Sequence, residues 1–167
     1  MQTAGDETVI TVYIGLGSNL AEPAMQVRRA CEALGQLPES RLLACSSLYS
    51  SPPMGPPDQP DYINAVAALE TTLSPHDLLA ELQAIEQAQG RVRERRWGAR
   101  TLDLDLLLYG DRQIDDQQLT VPHVGLPERA FVLYPLQEIA PTLVIPGQGP
   151  LADLVTRCPE NGLQRYE

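Results

Sequence analysis

The segment TLDLDLLLY, residues 101–109, alternates apolar and polar side chains over its first half, which is typical of a β-strand. Because successive side chains point to opposite faces of a strand, Asp103 and Asp105 are expected on one face, with Cβ atoms roughly 6–7 Å apart. The side chains expected on the opposite, core-facing side are those of Leu102, Leu104, Leu106 and Leu108. The segment therefore predicts a buried strand that carries two neighbouring carboxylates on one side.

Five further elements precede this strand and indicate a fold class. Apolar periodicity, together with glycine and proline positions, predicts strands at 8–14, 41–50 and 61–71 and helices at 23–35 and 75–90. The resulting order, β-α-β-β-α-β, is typical of a ferredoxin-like α+β fold, with an antiparallel sheet and both helices on one face. In that topology the first and third strands are central, and the second and fourth flank them.

The remaining residues are expected to add C-terminal elements that cover the other face of the sheet or extend it. They are predicted to form a short stretch near 119–123, a helix at 127–139, an extended stretch at 143–146 and a short helix near 151–157. Because no linker or repeat divides the chain, residues 1–167 are expected to form a single domain.

Composition argues against several classes of protein. The chain has 167 residues and a formal net charge of −10, which argues against a general binder of nucleic acids or of anionic membranes. It has no run of roughly 18 apolar residues, and residues 1–15 lack the features of a secretory signal. Cys31, Cys45 and Cys158 are odd in number and lack metal-type spacing, so they are expected to be buried or unreactive thiols. We therefore expect a cytoplasmic protein without a membrane segment.

Positive charge is concentrated in one loop. The chain has twelve arginines and no lysine, and five of the arginines fall within residues 91–100. Glu94 is the only acidic residue in that window. By residue count this window carries about +4 and the rest of the chain about −14. The five are Arg91, Arg93, Arg95, Arg96 and Arg100. Such a concentration is expected to bind a compact polyanion, with a solvated charged loop as the alternative.

The two carboxylates of the strand require a positive partner. Unpaired, Asp103 and Asp105 would repel each other and be costly beside a hydrophobic sheet. Their partner is either an arginine, as in a salt bridge from Arg100 at the strand edge, or a divalent cation such as Mg²⁺ shared with substrate phosphates. The adjacent arginine loop favours the second reading, because guanidinium groups and metal-binding acids together make a polyphosphate site.

Several other residues each allow a functional and a structural interpretation. Trp97 could stack on a nucleotide base or anchor the loop, and His123 could bind a phosphate or be structural. Tyr62 and Asn64, two residues apart on a predicted strand, could stack on and hydrogen-bond a flat heterocycle, or be an edge-strand pair. The proline-rich segment 51–60 is predicted to be a rigid pocket wall rather than a polyproline II ligand.

A pair of glycines follows the first predicted strand. Gly15 and Gly17 lack the third glycine of a dinucleotide-binding motif, and the GK[ST] of a P-loop is also missing. They are therefore predicted to form a turn.

Long motifs give the chain a family resemblance from about residue 10 to about residue 150. They are YIGLGSNL (13–20), SSLYSSPPMGPPDQPDYINAV (46–66), IEQAQGRVRERRWGARTLDLDLLLYG (85–110), LTVPH (119–123) and ERAFVLYPLQEIAP (128–141). The chain resembles 6-hydroxymethyl-7,8-dihydropterin pyrophosphokinases. The resemblance implies transfer of a diphosphate from ATP to the pterin hydroxymethyl group, giving AMP and the pterin diphosphate in folate biosynthesis.

The resemblance also implies roles for individual residues on the ATP side. Asp103 and Asp105 would hold two Mg²⁺ ions, while Arg91 and Arg100 would grip the triphosphate and, with His123, act in catalysis. The residues expected to bind ATP are Gln83, Glu86, Arg93, Trp97, Thr120 and Arg129.

On the pterin side, Tyr62 and Phe131 match the aromatic rings that sandwich the heterocycle, and Asn64 matches the amide that reads its edge. The pocket segment expected to complete recognition comprises Ser51, Pro53, Met54 and Gly55.

The chain departs from the family pattern in few places. The arginine loop is one residue shorter, with Glu94 in place of a basic residue, Gln118 replaces a basic ATP contact, and Val124 replaces a common aromatic residue. The implied partners are ATP and the pterin, with no nucleic acid, no membrane and a monomeric enzyme. The alternatives are a non-catalytic sensor domain, a ferredoxin-like RNA binder and a palm-type nucleotidyl transferase.

Overall fold

The computed structural model describes residues 8–19, 22–52, 61–89, 102–160 and 162–166. Its strands are β1 (Ile10–Ser18), β2 (Ser40–Cys45), β3 (Tyr49–Ser51), β4 (Tyr62–Thr71), β5 (Leu102–Tyr109), β6 (Ile114–Asp115), β7 (Thr120–Val121), β8 (Val144–Ile145), β9 (Gly149–Pro150) and β10 (Gln164–Arg165). Its helices are α1 (Pro23–Leu34), α2 (Pro75–Ala88), α3 (Ala130–Ile139) and α4 (Leu151–Arg157), and a 3-10 turn, Leu126–Glu128, precedes α3. No helix within these ranges is long and apolar enough to cross a membrane.

The main sheet is antiparallel and confirms the ferredoxin-like prediction. Its order is β10-β3-β4-β1-β5, and β2 pairs with β4 as well. β1 and β4 are therefore central, as expected for the first and third predicted strands. β7 and β8 lie within the predicted stretches 119–123 and 143–146, whereas their partner strands β6 and β9 and the edge strand β10 were not predicted.

The predicted strand at 41–50 is interrupted by Ser46, which separates β2 from β3. The Ser46 backbone N–H donates to the carbonyl of Val66 at 2.8 Å, and its hydroxyl accepts from the N–H of Val66 at 2.9 Å. One residue thus uses both its backbone and its side chain to satisfy β4, which breaks the regular pairing between the two short strands.

Both faces of the sheet are covered. The first hydrophobic cluster packs α1 and α2 on one face and includes Val12, Ile14 and Leu16 of β1. The second cluster packs α3 and α4 on the opposite face, where Tyr13 of β1 contacts it. The helices of the βαββαβ core thus share one face as predicted, whereas the C-terminal helices cover the other.

A β-bulge changes the direction of the side chains near the end of β5. Tyr13 pairs with Leu108 and Ile14 with Leu106, so Leu107 is an extra residue in the ladder. Leu102, Leu104 and Leu106 lie in the first cluster as predicted, but Leu107 and Leu108 both lie in the second. The prediction that Leu108 shares a face with the other three leucines is therefore wrong.

Local sequence signals explain where α2 begins and which face of α1 is buried. Ser74 caps α2 by accepting a hydrogen bond from the backbone N–H of Asp77 at 3.2 Å, and Pro75 occupies the first turn. In α1, Val27, Ala30 and Leu34 form the buried stripe that the periodicity predicts.

The cysteines differ from the prediction of three thiols. Cys31 of α1 and Cys45 of β2 form a disulfide, whereas Cys158 is free and buried as expected. The prediction is wrong for the first two because α1 packs against the sheet beside β2, and that tertiary contact brings together residues 14 positions apart.

A carboxylate on α3, that of Glu138, connects this helix to β3, to Ser47 just before β3 and to the C-terminal strand β10. Glu138 accepts hydrogen bonds from the Ser47 backbone N–H at 3.0 Å, the Ser47 hydroxyl at 2.9 Å and the Tyr49 hydroxyl at 2.7 Å. Arg165 of β10 lies 3.9 Å from the same carboxylate. Burial raises the pKa of Glu138, but the hydrogen bonds from Tyr49 and Ser47 lower it more, so its net pKa lies below the usual range.

We expect Glu138→Ala to lower the free energy of unfolding by about 2 kcal/mol, because three donors lose a charged acceptor. Because the pKa is depressed in the folded state, the contribution is complete above the unfolded-state pKa and is lost as the pH falls through the folded-state pKa. Urea unfolding at neutral and acidic pH measures both effects, with the exposed Glu32→Ala as a matched control. An equal loss in the two variants would contradict the assignment.

Candidate active site

Three adjacent strands bring an amide and an acid into one row on the second face of the sheet. Gly17 of β1 pairs with Asn64 of β4 on one side and with Asp103 of β5 on the other. Directly paired residues of neighbouring strands share a face, so these two side chains flank a glycine. The acid pair predicted from the alternation in β5 therefore lies beside the predicted heterocycle-reading amide.

Gly15 and Gly17 leave this face of β1 without side chains between the residues of β4 and β5. A Cβ at Gly17 would lie 3.1 Å from Asn64 Oδ1, and Gly15 pairs with Asp105 of β5. The prediction that these glycines form a turn is wrong, because β1 continues through both of them to Ser18. A glycine inside a strand marks a close approach of another group, and that signal could have indicated the site from the sequence.

The acids are partly buried and their electrostatic environment is mixed. Burial raises the pKa of Asp105, and the negative charge of Asp103 raises it further, whereas His123 and Arg129 lower it. The net pKa is raised, so positive charge that binds at this position favours the ionised form. His123 and Arg129 come from the segment between β7 and α3, and both were predicted site residues.

His123 is held in one orientation by its own loop. Its backbone N–H donates to the carbonyl of Leu107 at 3.0 Å, which fixes the loop to β5. Its ring Nδ1 accepts from the N–H of Gly125 at 3.1 Å, so in the neutral ring the proton is on Nε2. The ring therefore presents a donor at Nε2.

Arg129 lies between a glycine and an aromatic ring. Its Cζ is 5.7 Å from the centroid of Phe131, within cation–π range. A Cβ at Gly125 would lie 2.5 Å from the Nε of Arg129, so only glycine leaves room for this guanidinium position. Gly125 is a supporting residue that the sequence reasoning missed.

Helix α2 contacts β5 between the two acids. The Oε2 of Glu86 accepts a hydrogen bond from the backbone N–H of Leu104 at 2.7 Å. Because β5 ends the strand order, this N–H belongs to an outer edge of the sheet, and Glu86 satisfies it. Gln83 and Thr120, two further predicted ATP-site residues, are exposed on α2 and β7.

The amide of Asn64 has a fixed orientation. Its Nδ2 donates to the hydroxyl of Ser51 at 2.7 Å, and both residues are buried. Tyr62 lies two residues earlier on the same face of β4 and is half-buried, as is Phe131 at the start of α3. α3 packs against the sheet through the second cluster, which Phe131 also contacts.

The other predicted site residues lie outside the described residues. These are Pro53, Met54 and Gly55 in segment 53–60 and Arg91, Arg93, Trp97 and Arg100 in segment 90–101.

The donor set fits a hard dication that is shared with a substrate. Within the described ranges no group of three or more His, Cys, Asp or Glu side chains could hold a metal ion alone. Asp103 and Asp105 supply carboxylate oxygens on one face, and Mg²⁺ in phosphate-transfer sites takes its remaining ligands from phosphates and water. The two-acid arrangement agrees with that mode of binding.

Comparison with known proteins identifies the family. The model of the 7,8-dihydro-6-hydroxymethylpterin-pyrophosphokinase (HPPK) family matches residues 13–141. The chain belongs to the HPPK family. Diphosphate transfer to the hydroxymethyl group of the dihydropterin in folate biosynthesis, as predicted from the sequence, is confirmed by this membership.

Two curated relatives are named 2-amino-4-hydroxy-6-hydroxymethyldihydropteridine pyrophosphokinase. The Pseudomonas aeruginosa protein is 55% identical over 154 residues, which cover 92% of this chain and 95% of the relative. The Haemophilus influenzae protein is 55% identical over 147 residues, which cover 88% of this chain and 92% of the relative. HPPK membership thus rests on nearly the full length of both proteins.

Solved structures agree on the fold. The wild-type Plasmodium falciparum HPPK-DHPS with pteroate superposes with a TM-score of 0.72 at 13% identity. The match covers 93% of this chain and 43% of that one, so this chain spans less than half of the longer protein. At this identity the likeness supports the fold alone.

Proposed function

We propose that this HPPK transfers an intact diphosphate from ATP to 6-hydroxymethyl-7,8-dihydropterin, giving AMP, as a monomeric, single-domain, cytoplasmic enzyme that uses two Mg²⁺ ions. The observation that carries the proposal is the row Asn64, Gly17 and Asp103 across three adjacent strands. Asn64, the amide proposed to read the heterocycle, lies across Gly17 from Asp103, and this supports a pterin on the amide whose hydroxymethyl group is directed toward phosphates held over the acids.

Asp103 and Asp105 are proposed to hold the metal. When bound, Mg²⁺ supplies charge neutralisation on the transferred diphosphate and on the departing AMP. The raised pKa of Asp105 is consistent with this role, because burial disfavours the charged form of the acid and a bound cation favours it.

The protein itself contributes positioning and hydrogen-bond donors. His123 is proposed to donate from Nε2, and Arg129 from its guanidinium, to phosphoryl oxygens near Asp105. Arg91 and Arg100 are proposed to complete the clamp on the triphosphate. The residues proposed to bind the rest of ATP are Gln83, Glu86, Arg93, Trp97 and Thr120.

The pterin is proposed to lie on Asn64 between Tyr62 and Phe131. The hydrogen bond from Asn64 to Ser51 leaves one N–H and the Oδ1 oxygen of the amide for the edge of the heterocycle. Pro53, Met54 and Gly55 are proposed to close the pocket around that edge.

Phosphorus NMR of the purified protein with ATP, Mg²⁺ and the hydroxymethyl dihydropterin tests the reaction. We expect AMP and a pterin diphosphate to accumulate in equal amounts, since the bond broken lies between the α- and β-phosphates. Formation of ADP and a pterin monophosphate, or of free pyrophosphate without a pterin product, would contradict the proposal. Samples without the pterin control for simple hydrolysis of ATP.

A further inference from the structure

A side-chain contact at the N-terminal end of α2 joins this helix to the β6–β7 hairpin. The ring Nε2 of His76, in the first turn of α2, lies 2.8 Å from the Oδ2 of Asp116 at the hairpin turn. The two residues are 40 positions apart in the chain, and their side chains are 47% and 41% exposed.

The same carboxylate shapes the hairpin. Asp116 Oδ1 accepts from the backbone N–H groups of Gln118 and Leu119, both at 2.9 Å, and the N–H of Asp116 donates to the carbonyl of Leu119 at 3.0 Å. Burial raises the pKa of Asp116, but these backbone hydrogen bonds and His76 lower it more, so the group is ionised at neutral pH. One oxygen therefore orders the turn while the other binds α2.

A cavity of about 570 Å³ lies between these two elements. It is lined by His76, Leu79, Ala80 and Gln83 from α2 and by Gln118 from the hairpin. Leu119 and Val121 anchor the hairpin in the first hydrophobic cluster, and the contact between Asp116 and His76 ties its turn, which carries Gln118, to α2.

Both the α2 wall and the hairpin wall of this cavity carry, or closely precede, a residue proposed to bind ATP. Gln83 is one of the proposed ATP-binding residues, and Thr120 begins β7 two residues after Gln118. Gln118 stands where the family resemblance leads us to expect a basic residue that contacts ATP. Without that positive charge, a bound nucleotide holds the hairpin in place less strongly. A hairpin that moves away from α2 would widen the cavity and displace Thr120.

We propose that His76 and Asp116 form a positioning pair that holds the β6–β7 hairpin against α2 and thereby sets the affinity for ATP. This inference rests on the proposed function, which puts the nucleotide between these elements. Neither residue contacts the reacting atoms, since both act through the walls that carry Gln83, Gln118 and Thr120. Binding of the pterin, on the Asn64 side of the sheet, is independent of the pair.

Calorimetry with α,β-methylene ATP and Mg²⁺ tests the pair without turnover. We expect His76→Ala to raise the Kd for this analogue about fivefold, the effect of losing one exposed hydrogen bond to a charged group. His76→Gln keeps a donor for Asp116 Oδ2 and should bind within about twofold of the wild type. Gln87→Ala, at an exposed position of α2 outside the cavity lining, controls for the substitution itself.

Steady-state kinetics separate positioning from a general structural effect. In His76→Ala the KM for ATP should rise about fivefold, while kcat and the KM for the pterin stay within about twofold. An unchanged Kd for the analogue in His76→Ala would overturn the pair, as would a loss in His76→Gln as large as in His76→Ala. If the wild type binds the analogue but makes no AMP with the pterin, the proposed reaction is wrong. The Kd values for the analogue then still test whether His76 and Asp116 position the hairpin.

Discussion

Asp105→Ala is expected to lower kcat/KM for the formation of AMP and pterin diphosphate by at least about a thousandfold. Asp103→Ala is expected to do the same. The reason is that each variant removes half of the carboxylate set proposed for Mg²⁺, and metal stabilisation of a transferring phosphate contributes several kcal/mol to the transition state. Rates measured by phosphorus NMR or by a coupled AMP assay, at saturating Mg²⁺, check the result.

Stability distinguishes this role from the alternative in which the acids are salt-bridge partners. Burial and the charge of Asp103 raise the pKa of Asp105 more than His123 and Arg129 lower it, so the folded environment stabilises its ionised form less than water does. Asp105→Asn, which keeps the shape and removes the charge, should therefore leave the free energy of unfolding unchanged or raise it. A salt bridge essential to the fold would give the opposite result, a loss of stability of about 2 kcal/mol or more.

Magnesium provides a second control for the same variants. The wild type with α,β-methylene ATP should gain thermal stability on addition of Mg²⁺, because a ligand that binds only the folded state stabilises it. Asp103→Asn and Asp105→Asn should lose most of that gain. Turnover like that of the wild type in either variant would remove the metal assignment.

The core of the fold could be predicted because its signals are local. The alternation in β5, the cap at Ser74 and the stripe of Val27, Ala30 and Leu34 depend on residues within a few positions of each other. The side of Leu108 depends instead on a bulge at Leu107, which forms only when β5 pairs with β1. No periodicity in the sequence shows where such an extra residue will fall.

The candidate site follows the same division. The acid pair was predictable from spacing on one strand, and Tyr62 and Asn64 from spacing on another. The approach of His123 and Arg129 to Asp105 depends on the path of the chain between β5 and α3, which spacing does not determine. From the residues alone, His123 could bind a phosphate or be structural, and Arg129 was indicated only by the family resemblance.

The glycines of β1 show a different limit, since one residue type carries two signals. Glycine is frequent in turns because it adopts positive φ, and in strands because it lets another group approach closely. Gly15 and Gly17 were predicted to be the first kind, but they belong to the second. Only the pairing with Asn64, Asp103 and Asp105 distinguishes the two cases.

Gly17→Ala is expected to lower kcat/KM for the pterin by about a hundredfold, corresponding to about 2.7 kcal/mol lost from two hydrogen bonds to the heterocycle. The added Cβ would lie 3.1 Å from Asn64 Oδ1, so the amide must shift by a few tenths of an ångström. Because the amide is buried and hydrogen-bonded to Ser51, this shift disturbs the alignment of both its hydrogen-bonding atoms with the heterocycle. Gly15→Ala is the comparison on the same strand for pterin binding only, because its Cβ would meet the methyl groups of Leu107 at 3.4 and 3.5 Å rather than the amide, whereas Gly15 itself pairs with Asp105. The Kd for α,β-methylene ATP should stay within about twofold in Gly17→Ala, since the residues proposed to bind the pterin differ from those proposed to bind the nucleotide. Equal losses for the pterin in the two variants would show that the strand tolerates no side chain at either position, and the assignment of Asn64 as the pterin-reading amide would then lose its support.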